Sequence, residues 1–120
     1  MKKIIAATVI ALTTAAGAAH ATLMTPKTVN YSCQGGKSIN VTYTFNKEGL
    51  PTKAESVLQG RKRTMPINLN LSDVTGTIFG KAGTYMIDTG YVDSETYNQV
   101  TLGTVTAPNN RIIYKNCAPN

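Results

Sequence analysis

Histidine is almost missing from this sequence: the only one among 120 residues is His20, in a stretch that export would remove. Without it a Ser-His-Asp or Cys-His centre cannot be assembled, and the commonest transition-metal ligand is gone. Cysteine is scarce as well, with Cys33 and Cys117 as the only pair, too few thiols and no neighbours for a zinc cluster. No phosphate-cradling glycine loop occurs. Past the first residues there is no helical hydrophobic period, and no internal repeat or low-complexity stretch. These absences argue against a nucleotide-dependent enzyme, a metalloenzyme and an α-helical fold. The expectation is a binding protein rather than an enzyme, needing neither cofactor nor metal.

What is present begins with a leader. Met1-Lys2-Lys3 is cationic, Ile4 to Leu12 is apolar but too short for an ordinary transmembrane helix, and Ala19-His20-Ala21 offers the small-x-small pattern that signal peptidase requires. Residues 1–21 are therefore read as a signal peptide and residues 22–120 as one domain starting at Thr22. No second long apolar run follows, and no cysteine near the cleavage point could take a lipid. The expected location is the periplasm and/or the outer-membrane surface, with no transmembrane segment in the mature chain.

Export also decides the chemistry of the cysteines, because an oxidising compartment favours a disulfide. A Cys33–Cys117 bond would close a loop spanning most of the domain and restrain the unfolded chain by about 4 kcal/mol on the entropic model. Charge is unevenly spread. Thr22 to Leu71 carries Lys27, Lys37, Lys47, Lys53, Arg61, Lys62 and Arg63 against Glu48 and Glu55, whereas Ser72 to Asn110 carries Lys81 against Asp73, Asp88, Asp93 and Glu95. A basic half and an acidic stretch suit partners of opposite sign.

The mature sequence reads as strands. Thr28 to Cys33 alternates with period two, and Ser38 to Phe45 sets Ile39, Val41, Tyr43 and Phe45 on one face against Ser38, Asn40, Thr42 and Thr44 on the other. Turn signals at Gln34-Gly35-Gly36, Asn46 to Gly49 and Gln59-Gly60 separate these from strands over Thr52 to Gln59 and Lys62 to Leu71. Pro66 removes a ladder donor, so its strand should lie at an edge or carry a bulge. Thr75 to Phe79, Thr84 to Asp88, Tyr97 to Thr106 and Arg111 to Cys117 complete the set. The predicted fold is all-β, a small antiparallel eight-stranded β-barrel closed by one disulfide, its first and last strands brought together at Cys33 and Cys117.

Few residues in this frame suggest chemistry. Asp88, Asp93 and Glu95 form a carboxylate group, but they sit among Gly, Thr and Ser in a loop-like stretch and read as a solvated acidic face. Arg61-Lys62-Arg63 at a hairpin tip can pair with sulfated glycans or phosphates, and equally serves to solubilise the tip and discourage edge pairing. Nucleic acid is not an expected partner, because aromatics do not interleave with these bases. Tyr31, Tyr43 and Tyr114 fit apolar strand faces. Tyr85, Tyr91 and Tyr97 fall in the acidic stretch, either as binding side chains at a mobile rim or as further core.

Several segments resemble a known family. Thr28-Val29-Asn30-Tyr31-Ser32-Cys33-Gln34, Val41-Thr42-Tyr43-Thr44-Phe45-Asn46, Met65-Pro66-Ile67-Asn68-Leu69, Phe79-Gly80-Lys81, Thr106-Ala107-Pro108 and Lys115-Asn116-Cys117 look like the adhesin complex proteins of Neisseria and Moraxella. That family is similar in architecture to the MliC/PliC barrels, which inhibit C-type lysozyme by placing a loop in its active-site cleft. The resemblance implies a lysozyme inhibitor that is also a surface-exposed adhesin, with host C-type lysozyme and host-cell surface glycans as partners. The Ser-Gly-x-x-Tyr loop of those barrels has its nearest counterpart at Lys81-Ala82-Gly83-Thr84-Tyr85, with Ala82 for the serine and the tyrosine one position early. Their Tyr-x-x-x-Thr-Lys-Gly motif survives as Thr89-Gly90. The implied lysozyme-binding residues are Lys81, Gly83, Thr84, Tyr85 and Thr89, with Asp93 and Glu95 docking on the rim of the basic enzyme. Arg61, Lys62 and Arg63 are, by their charge, the candidate adhesion residues, and an adhesin that binds anionic host glycans through this basic hairpin tip without inhibiting lysozyme is the alternative expectation.

Overall fold

Alternation in the second strand sets the architecture: Ile39, Val41, Tyr43 and Phe45 all turn inward and are buried, while Ser38 and Asn40 stay exposed. The computed structural model describes residues 25–120, so the signal peptide and the start at Thr22 lie outside the described residues. The strands are β1 (Lys27–Cys33), β2 (Lys37–Phe45), β3 (Pro51–Leu58), β4 (Arg61–Pro66), β5 (Gly76–Phe79), β6 (Met86–Gly90), β7 (Leu102–Thr106) and β8 (Ile112–Pro119). All neighbours are antiparallel, in the order β4-β3-β2-β1-β8-β7-β6-β5.

The first and last strands pair through Tyr31 with Pro119 and Ser32 with Ala118, and the Cys33–Cys117 disulfide binds them one step further along. The two edges of the sheet are therefore β4 and β5, and they meet only over a short stretch. Asn68 N–H donates to the Ile78 carbonyl at 2.7 Å, Gly80 N–H donates to the Pro66 carbonyl at 2.7 Å, and Ile67 bridges to Phe79. Pro66 cannot return a bond to Gly80, since it has no N–H. The Asn68 side-chain amide donates to the Gly80 carbonyl instead, at 2.9 Å. Pro66 thus ends an edge strand, as its chemistry requires, and the barrel is nearly closed.

The lumen is filled by side chains, as in small barrels generally. Tyr31, Tyr43, Phe45, Phe79, Leu58, Ile87, Leu102 and Val105 are fully buried. Tyr43 and Phe79 rings lie 5.7 Å apart and Tyr43 and Phe45 rings 6.4 Å apart, both tilted. The long connection from Tyr91 to Thr101 folds across one mouth, where Val92 is buried and the Tyr97 ring packs 6.0 Å from Phe45.

Two strands are shorter than their apolar content suggests. The fourth was expected to run to Leu71 but stops at Pro66, because Asn68 turns the chain: its side chain accepts the Leu71 N–H, and its carbonyl accepts the Ser72 hydroxyl. The seventh was expected to start at Tyr97 but starts at Leu102. Asp93 accepts hydrogen bonds from the N–H groups of Glu95 and Thr96 and from the Thr96 hydroxyl, which folds the preceding residues into turns. Tyr97 is apolar for capping the core, not for pairing.

Candidate functional site

Antiparallel strands send successive connections to alternating ends of the barrel. One end carries the turns at Gln34–Gly36 and Gln59-Gly60, the Lys81-to-Tyr85 loop, and the turn from Ala107 to Arg111. Among the described residues, Lys37, Arg61, Lys62, Arg63, Lys81 and Arg111 lie in or beside these turns, and no acid does. The opposite end carries Glu48, Asp73, Asp93 and Glu95 in its connections, with Lys47 and, at the starts of β1 and β3, Lys27 and Lys53. Folding therefore sorts charge differently from the linear sequence: Lys81 leaves the acidic stretch and joins the arginines.

The Gln59-Gly60 turn joins β3 to β4 with φ of 53° and 87°, both positive as a type I′ hairpin requires. That tip faces the Lys81-to-Tyr85 loop. The Tyr85 hydroxyl hydrogen-bonds the Gln59 side chain, and the Arg63 guanidinium lies 4.6 Å from the Tyr85 ring centre, a cation–π contact. Thr84 N–H donates to the Lys81 carbonyl at 3.0 Å and Gly83 sits third in that turn at φ +85°, the left-handed position that favours glycine. The Thr84 hydroxyl donates to the Lys81 carbonyl at 2.8 Å and accepts the Lys81 N–H at 3.1 Å. It builds the loop from within. Lys81, Ala82 and Gly83 are exposed, and a Cβ added at Gly83 would meet nothing within 4 Å, so the tip stands free.

The base of the loop is rigid. Gly80 is buried at φ +89°, and a Cβ there would fall 2.1 Å from the Tyr85 carbonyl oxygen. Between this loop and β4 runs a groove of about 460 Å³, lined by Met65, Ile67 and Leu69 and by Arg63, Lys81 and Tyr85.

Residues 27–119 match the model of the ACP-like domain family. The chain belongs to that family. It is also similar to the solved structure of the Adhesin Complex Protein from Neisseria meningitidis, at 45% identity and a TM-score of 0.74, over 79% of this chain and 100% of that one. No curated protein matches the chain significantly.

Set against this ACP-like barrel, the residues proposed for binding separate into two groups. Lys81, Gly83, Thr84 and Tyr85 come together with Arg61, Lys62 and Arg63 at the basic end. Asp93 and Glu95 lie at the other end, in the connection whose Ser94 N–H bonds the Gly49 carbonyl at 2.9 Å. Thr89 is buried, its hydroxyl on the Gly90 carbonyl at 2.7 Å, and presents nothing to a partner. Asp93 has a local task, for the Glu95 N–H foremost, with Thr96, holds its carboxyl below the usual carboxylate range. Asp88 lies mid-strand on β6, where partial burial pushes its carboxyl up. Among the described residues no three His, Cys, Asp or Glu side chains converge as a metal site would need.

Tyr91 is exposed at the acidic end, while Tyr97 belongs to the core cap. Sequence reasoning passed over Gln59, which orients Tyr85, and the apolar lining of the groove at Ile67 and Leu69. The signal available was Pro66 itself: an edge strand next to a basic tip marks a place where the sheet can open.

Proposed function

We propose that this chain is an adhesin-like, surface-exposed binding protein, and that its Lys81-to-Tyr85 loop inhibits C-type lysozyme by entering the active-site cleft. The observation that carries the reading is a free, cationic loop tip on a rigid base: Lys81 and Gly83 stand in solvent while Gly80 and Tyr85 are fixed beneath them. A lysozyme cleft offers two carboxylates in a saccharide-sized groove. Lys81 supplies the opposing charge, and a preorganised loop loses little entropy on insertion. Asp93 and Glu95 have no part in this docking, being at the far end. The adhesin-like role and the surface location draw support from similarity to a protein named for adhesion. No helix among the described residues is long and apolar enough to cross a membrane.

A second reading rests on the charge of the whole end. Six basic residues without an acid favour anionic host glycans, bound through Arg61, Lys62 and Arg63. A titration of C-type lysozyme with wild type, Lys81→Ala and Asp93→Ala separates the two. Lys81→Ala is expected to inhibit about 5 to 150-fold more weakly, as a central contact does, and Asp93→Ala to inhibit like wild type. Full inhibition by Lys81→Ala would place the plug elsewhere, and a wild type that never inhibits would leave glycan binding alone.

A further inference from the structure

We propose that the open edge of β4 accepts an extended acidic segment of a partner protein as an added strand. The argument starts from unequal strand lengths. β5 has four residues and the chain leaves the sheet at Gly80, whereas β4 continues from Pro66 back to Arg61. Beyond the closure at Pro66 and Gly80, the outer side of Arg61–Met65 has no strand beside it among the described residues; the Tyr85 side chain crosses to Gln59 and Arg63, and the groove lies between it and the strand.

Hydrogen-bond parity says which groups are free. Ile67 N–H bonds the Thr52 carbonyl of β3, at 2.9 Å, so Met65, Arg63 and Arg61 also turn their backbone toward β3. The Pro66 carbonyl accepts Gly80 across the seam, so Thr64 and Lys62 face the same way as Pro66. Their N–H and C=O groups make no ladder bond, and both residues are exposed. A row of unpaired backbone groups beside an apolar groove is the arrangement that strand addition uses.

The groove gives the occupant its chemistry. The half-buried Ile67 and the exposed Leu69 offer apolar contact, and about 460 Å³ holds a short extended segment. Arg63 and Lys81 line it with no acid among the lining residues, and Arg61 and Lys62 continue the same strand toward the tip. Those charges repel a second copy of this chain, whose matching edge is equally basic, and attract carboxylates. The occupant is therefore a foreign segment alternating apolar and acidic residues. This proposal does not rest on lysozyme inhibition, which uses the loop tip and not the edge of β4.

The test uses the folded protein and a short labelled peptide alternating valine with glutamate, followed by fluorescence anisotropy and amide exchange. Saturable binding that weakens with salt is expected, with slowed exchange at the Lys62 and Thr64 amides. A peptide of the same sequence, N-methylated on the edge that would pair, should bind at least ~10-fold more weakly, the scale of one or two lost main-chain hydrogen bonds. Thr64→Pro removes the seam donor without costing a backbone bond to β3, losing only the exposed Thr64 hydroxyl's bond to Glu55, and should weaken the peptide similarly while lysozyme inhibition is unchanged. If Thr64→Pro does not fold, the methylated peptide decides alone. The proposal is overturned if no saturable binding occurs at millimolar peptide. It is overturned equally if the methylated peptide, or a sulfated glycan fragment displacing the peptide, binds as well with Lys62 and Thr64 still exchanging freely. The groove would then be an anion site that reads charge only.

Discussion

The hydroxyls of Tyr31 and Tyr43 meet at 2.6 Å inside a core built largely of hydrocarbon, and both residues are fully buried. Burial pushes both phenols above their ordinary range, so neither ionises under ordinary conditions. Each hydroxyl has the other as its partner. Tyr31→Phe should cost about 1 to 3 kcal/mol by orphaning Tyr43, whereas replacing both with Phe should recover much of that loss; urea denaturation of the singles and the double reads the coupling. Gly80 carries a stricter constraint, since its positive φ and the Tyr85 carbonyl leave no room for a methyl group. Gly80→Ala should therefore destabilise the barrel and shift the loop, visible as lost contact between Arg63 and Tyr85. Asp93 gives the pH dependence. Its folded-state carboxyl is lowered, first by the Glu95 N–H, so its contribution is complete above the unfolded carboxylate pKa of about 4 and is lost as pH falls through the lower folded value. Asp88, raised by burial, acts in the opposite sense, and its penalty at neutral pH is relieved on acidification. Melting curves of wild type and Asp93→Asn should diverge at neutral pH and converge in acid.

Strands were largely legible because two-period alternation is a direct record of one face being buried. Ile39, Val41, Tyr43 and Phe45 could be assigned inward before any fold was known, and the pairing of Cys33 with Cys117 followed from export and from there being only two cysteines. What the pattern could not separate is an apolar residue that pairs from one that caps. Tyr97 and Leu69 look alike to a period count, yet Tyr97 covers Phe45 and Leu69 is exposed beside a groove. The decisive signals were short-range polar ones, Asp93 to Thr96 and Asn68 to Ser72, which redirect hydrogen bonds from ladders into turns. The disulfide ties β1 to β8, neighbours in the sheet that are 84 residues apart in sequence. Cys33→Ser with Cys117→Ser should lower unfolding free energy by about 2 to 5 kcal/mol, as loss of a native disulfide from a small exported domain does. Chemical denaturation of oxidised wild type against the double variant measures it, and an unchanged midpoint would mean that the β1–β8 ladder alone holds the barrel shut.

At the scale of the molecule, alternation of the connections between the two ends turns a basic half and an acidic stretch of sequence into two barrel ends of different charge. This was the part least visible beforehand, because Lys81 and Asp93 are close in sequence yet are sent to opposite ends by β6. Strands of four to nine residues rise about 3.3 Å per residue, so with barrel tilt the ends stand roughly 20 Å apart. That is about twice the Debye length of ~10 Å at 0.1 M salt. The far end is therefore electrostatically hidden from a ligand at the near one, and local charge should govern binding where net charge does not. Arg61→Glu with Arg111→Glu removes two bases from the basic end and should lower the salt concentration that elutes the protein from immobilised heparin. Asp93→Lys with Glu95→Lys changes net charge by the same amount in the opposite direction, but at the far end, and should elute close to wild type. If net charge were the controlling quantity, the second variant would bind more tightly by as much as the first binds more weakly. Equal and opposite shifts would thus remove the basic end as a distinct binding surface, while a shift confined to the first variant would localise anion recognition to the end that carries Arg61, Lys62, Arg63 and Lys81.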